Sequence, residues 1–145
     1  MNAAESAKKL RRTTYKVLMQ GFTSSQQQNT EERWAWLMAA HIVGQHAFSL
    51  HWRNHVAMLR FALATRDYPE AAGQLFRLSL VPVGHVFQRL PVGNVGRATA
   101  NAFKPMTTDP VLQRLIQQAK AKAKAKAKAK AVSACAHGLS RIDVP

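Results

Sequence analysis

The chain has 145 residues, enough for one domain, and a net charge of +14. The excess lies at the ends: Lys8, Lys9, Arg11, Arg12 and Lys16 face only Glu5 in residues 1–29, and Arg114, six lysines and Arg141 face only Asp143 after residue 110. A single cysteine, Cys135, excludes an internal disulfide, and without the apolar core of a signal peptide at the N-terminus the expected setting is a reducing cytoplasm.

Residues 5–20 read as a basic amphipathic helix with Leu10, Thr14, Val17 and Leu18 on one face. Gly21 is placed to end it, and the polar run Thr23 to Gln28 reads as a linker, so 1–28 forms an N-terminal unit. A helical core domain is expected over 29–118. Asn29 with Glu32, and Asp67 with Glu70, have the spacing of a capping box, in which each partner satisfies a free backbone N–H of the other. Asp109-Pro110 offers an N-cap followed by proline at the first helical position. These signals predict helices near 30–45, 68–80 and 110–120.

A further helix is expected near 48–65, through Leu50, Val56, Leu59 and Leu63, with the chain folding back at Gly44-Gln45 because one rod from 30 to 65 would be too long for a small domain. The segments beginning at Glu32 and Glu70 are weakly alike, an offset that suggests compact helical hairpins with tetratricopeptide-like packing. Trp34 to Trp52 is free of Asp, Glu, Lys and Arg, but His41, Gln45, His46, Ser49 and His51 dilute it below a membrane span. From Val81 to Pro105, Pro82, Gly84, Pro91, Gly93 and Gly96 predict an extended loop. Residues 119–145 form a low-complexity tail. The strict Lys-Ala alternation from Lys120 to Lys130 places like charges at i,i+4 and is read as giving no apolar stripe at helical period, so a disordered, solvated basic tail is expected. The fold class is therefore all-α with a Gly/Pro loop and a basic tail.

The constellation best suited to chemistry is His41, His51, His55 and Met58. His51 and His55 are four apart and share a helical face, and Met58 lies within about 60° of His55 on that helix. A reversal at Gly44-Gln45 would bring His41 opposite them. Three neutral imidazoles can hold a transition metal with one position open, Zn, Cu or Fe being the candidates, and a thioether from Met58 would favour copper. Gln45 is a candidate to orient one ring. The competing reading is that these histidines cap the hairpin or bond backbone carbonyls.

Two other features have functional and structural readings. Gly93, Asn94, Gly96 and Arg97 could form an anion-binding loop of backbone N–H groups closed by the guanidinium, although the run lacks a phosphate-loop lysine. The plainer reading is a structural turn with Asn94 and the glycines at left-handed positions. Lys120, Lys122, Lys124, Lys126, Lys128 and Lys130 could give weak, non-specific nucleic-acid binding, but Tyr15 is the only aromatic residue interleaved with the basic ends. No nucleophile–base pair or paired carboxylate stands out, so no catalytic residue is assigned. Metal binding is the first reading. A helical module that holds a protein partner and contact with a polyanion are the alternatives.

The residues His41-Ile42-Val43-Gly44-Gln45, His51, His55, Met58-Leu59, Arg66-Asp67, Gly73-Gln74-Leu75, Pro91 to Gly96 and Phe103 to Met106 resemble an uncharacterised bacterial family, domain of unknown function 3703, over about 30–110. The resemblance implies a small helical bacterial protein and carries no activity. It also implies that His41, His51, His55 and Gln45 are motif residues, whereas His46 and His85 are not.

Overall fold

The computed structural model describes residues 2–86, 93–100 and 107–139, and all regular structure among them is helical. The helices are α1 (Ala3–Ser24), α2 (Thr30–Gly44), α3 (Phe48–Ala64), α4 (Tyr68–Val86) and α5 (Pro110–Leu139). Three of them begin where cap chemistry predicts. The Asn29 side chain accepts from the Glu32 N–H at 2.9 Å, Asp67 from the Glu70 N–H at 3.1 Å, and Asp109 from the Val111 N–H at 2.7 Å.

The chain reverses between Gly44 and Phe48, as expected. Gly44 sits beneath Tyr15 and Leu50, and a Cβ there would approach a side-chain carbon of each to 3.1 Å. The reversal lays α3 along α2, where the Asn54 amide donates to the Leu37 carbonyl at 3.1 Å. α3 closes with two crossed bonds, Asp67 N–H to Ala62 O at 2.8 Å and Arg66 N–H to Leu63 O at 3.1 Å. That closure needs a left-handed residue, and Arg66 supplies it at φ 57°, where glycine is usual.

α2 is the hub. On one side Tyr15 and Leu18 of α1 and Leu112, Ile116 and Ala119 of α5 pack with its Ala39 and Ala40. On the other, its Trp34 and Leu37 meet Met58, Phe61 and Ala62 of α3 and Ala71 of α4. α4 packs on α3, and α5 returns onto α1 and α2. Nothing in this closed arrangement singles out a tetratricopeptide-type stack.

Sequence expectations and structure differ along several helices. Gly21 does not end α1, which runs on to Ser24; a Cβ at Gly21 would come within 2.5 Å of the Trp36 ring, so the glycine admits that indole between α1 and α2. Tyr15, the aromatic residue interleaved with the basic N-terminal side chains, is buried in the core. α4 continues through Pro82 to Val86, with Val81 buried, so only part of the expected loop from Val81 to Pro105 is irregular, and its residues 87–92 and 101–106 lie outside the described residues.

The Lys-Ala segment differs as well. Its lysines are solvated, as expected, but the segment is helical through Leu139. Four is an even number, so strict two-residue alternation keeps alanine at i and i+4. Ala119 and Ala123 therefore continue the row begun by Leu112 and Ile116, and both are buried. This packing offsets the repulsion between lysines one turn apart. The side chains of His85, Cys135 and His137 lie outside the described residues.

Candidate metal centre

The reversal after α2 brings His41, near the end of that helix, against His51 and His55 in the first turns of α3. All three are buried. His55 Nε2 lies 3.2 Å from His41 Nε2 and 3.1 Å from His51 Nε2, and one ligand atom from each ring falls within 4.8 Å of the others. The ring centroids are 4.8 to 4.9 Å apart, so the imidazoles face a common point.

Two of the rings have their tautomers fixed from behind. His41 Nδ1 lies 2.9 Å from the Asn94 carbonyl oxygen, which can only accept, so Nδ1 carries the proton. His55 Nδ1 lies 2.7 Å from Gln74 Oε1. The orientation of that amide is set by its other end: Nε2 of Gln74 donates to Glu70 Oε1 at 2.7 Å and to the Gly96 carbonyl at 2.8 Å, both acceptors. His55 Nδ1 must therefore donate as well. In the neutral rings both Nε2 atoms then bear lone pairs, and these lone pairs confront each other at 3.2 Å.

Protonation would relieve that confrontation, but the surroundings oppose it. Burial holds His41 well below the ordinary imidazole range, and the neighbouring His55 and His51 push the same way. Burial likewise pushes His55 down to about 4, against the opposing bond to Gln74. A metal-free chain unfolded at pH 5 binds protons at positions that stay neutral in the fold, so stability is full above about pH 6.5 and falls as the pH drops toward 4. His55 alone accounts for about 3 kcal/mol of that loss. Denaturant midpoints between pH 7 and pH 4 check this: the decline should be shallower in His55→Gln, and equal slopes would contradict it.

The glycine loop forms the outer wall. Gly93 and Gly96 take left-handed φ of 73° and 81°, but Asn94 does not, contrary to the turn expected from sequence. Asn94 is buried; its carbonyl holds His41 and its side-chain oxygen accepts the Gly96 N–H at 2.9 Å. Arg97 lies over the Trp34 ring at 4.2 Å and pairs with Glu70 at 3.4 Å and Glu31 at 3.8 Å. The Ala98 N–H donates to Glu70 Oε1 at 2.9 Å, and Arg77 donates to the carbonyls of Arg97 and Ala100. The Arg97 guanidinium and the Gly96 and Ala98 N–H groups are thus engaged inside the protein, and the Asn94 carbonyl supports a histidine.

Gln45 is buried, with its amide 3.3 Å from His46 Nε2. Met58 is wholly buried in the apolar cluster with Trp34 and Phe61. The six lysines from Lys120 to Lys130 are exposed along α5. The residues that sequence reasoning missed are Glu70, Gln74 and Arg77. Their signal is present, since they stand at i, i+4 and i+7 and so form a polar stripe on one face of α4. Glu70 was expected to reach back to the Asp67 N–H, but that N–H bonds Ala62 and the carboxylate turns to Gln74 and Ala98.

No helix among the described residues is long and apolar enough to cross a membrane. Comparison with curated proteins and with solved structures returns no match. A family model described as "Protein of unknown function (DUF3703)" matches residues 8–116, a span that takes in most of α1, all three histidines and the start of α5, and the chain belongs to that family.

Proposed function

We propose that this protein binds one transition-metal ion through Nε2 of His41, His51 and His55. The observation that carries this reading is the confrontation of two fixed lone pairs at 3.2 Å in a buried site, which a cation would convert from repulsion into shared coordination. The backing of His41 by a carbonyl and of His55 by the Gln74–Glu70 pair is the support that metal-ligating histidines use to fix ring angle and tautomer.

The donor set narrows the metal. Three imidazoles without thiolate suit zinc, copper or iron rather than calcium or magnesium. They are also uncharged, and a divalent ion buried among them keeps an uncompensated charge. The reading is therefore monovalent copper, or zinc or ferrous iron carrying a small anion in the fourth position. Met58 is accounted for by packing and is left out of the proposed ligand set.

Metal analysis of untagged protein, purified without chelator and incubated in turn with zinc, cuprous copper and ferrous iron under exclusion of air, tests this. One of them should be retained at close to one ion per chain and should raise the thermal midpoint. His55→Ala should retain almost none. Full retention by His55→Ala, or no retention by the parent protein, would overturn the proposal.

A further inference from the structure

An open cleft of about 730 Å³ runs between α1 and α3. Phe22 and Phe61 meet edge to face there, with ring centroids 5.3 Å apart, and Met19, Val56 and Ala57 extend the apolar wall. Three arginines line the same cleft: Arg33 from α2, and Arg53 and Arg60 from α3, the latter two separated by two helical turns and both exposed. No acidic side chain lines it. Among the described residues both ion pairs belong to Arg97, so none of the three cleft arginines is matched by a carboxylate.

Arg33 adds an independent sign. Its guanidinium lies over two rings, 4.9 Å from the Phe22 centroid and 4.6 Å from that of Phe61, and its Nε is buried without a hydrogen-bond partner. A buried donor of this kind is costly unless something accepts from it or its neighbours. No protein oxygen accepts from that Nε, and the two rings hold the cationic end beside the apolar wall.

We propose that this cleft binds an amphiphilic anion: a carboxylate head on an apolar body of medium length. A small hydrophilic anion would leave the phenylalanine and valine wall wet. A neutral apolar molecule would leave three cations unanswered. A carboxylate that pairs with guanidinium while its chain covers Met19, Phe22 and Val56 satisfies both, and the volume suits one small ligand. The site shares no residue with the histidine cluster, so it stands apart from the metal reading.

Calorimetric titration with sodium decanoate below its micellar concentration tests the proposal. One saturable site is expected. Butyrate (same head, short body) and decyltrimethylammonium (same body, opposite charge) should each bind at least tenfold more weakly. Arg53→Gln/Arg60→Gln should weaken decanoate at least tenfold while leaving the thermal midpoint nearly unchanged, because both side chains are exposed. Trp52, which also lines the cleft, should report binding by fluorescence, and most of that signal should vanish in Trp52→Phe. Absence of saturable binding, equal binding of the cationic amphiphile, or indifference to the double substitution would each overturn the assignment.

Discussion

Gln74→Leu is expected to weaken metal binding ten- to hundredfold and to lower the thermal midpoint by about 10 °C. The side chain is fully buried and serves three partners at once: His55 Nδ1, Glu70 Oε1 and the Gly96 carbonyl. Leucine fills nearly the same space, so little packing is lost. What is lost is the acceptor that directs the His55 proton to Nδ1 and the donor that ties α4 to the glycine loop. Two buried groups, the His55 N–H and the Gly96 oxygen, are then left without this partner, at a combined cost of about 3 kcal/mol. Competitive titration against a chromogenic chelator, with thermal denaturation of the metal-free protein, reads both effects. An unchanged affinity would mean that the His55 ring is positioned by something other than this amide.

Gly96→Ala should be at least as damaging, by another route. The residue sits at φ 81°, and a Cβ there would lie 2.7 Å from Cδ2 of His41, a ring boxed in by two further imidazoles. The left-handed backbone costs an alanine about 1–2 kcal/mol, and relief of the contact requires either the loop or the His41 ring to move. Either movement breaks the Asn94 to His41 bond or shifts Nε2 away from its neighbours. The expected result is a midpoint lower by about 10 °C together with loss of stoichiometric metal. Gly21→Ala is the matched control: its Cβ would strike Trp36 at 2.5 Å, between α1 and α2, so it should destabilise while leaving metal retention intact. Loss of metal in both variants would show that retention follows overall stability and not the geometry around His41.

The sequence disclosed helix starts better than helix ends. Asn29, Asp67 and Asp109 announce themselves because an N-cap is a local event, completed within three residues. Gly21 and Pro82 look like terminators by the same local logic. Each lies inside a helix because a distant partner decides the matter, the Trp36 ring in one case and packing of α4 on α3 in the other. The histidine triad was legible because its geometry needs only one helical spacing and one reversal. The residues behind it were not. Gln74 reaches His55 across 19 positions, and Asn94 reaches His41 across 53. The glutamine against a ring of the triad belongs to another helix, whereas the Gln45 amide lies against His46.

The alanine row of α5 constrains how the Lys-Ala tract can vary. Addition or removal of a dipeptide preserves the parity of every later position, so an alanine still arrives at the sealed spot now held by Ala123. A single-residue insertion between Ile116 and Ala123 brings Lys122 to that spot instead and drives an ammonium group against α1. Changes of length between Ile116 and Ala123 should therefore be tolerated in steps of two, and an odd step there would show itself as detachment of α5 rather than as a mere change of charge.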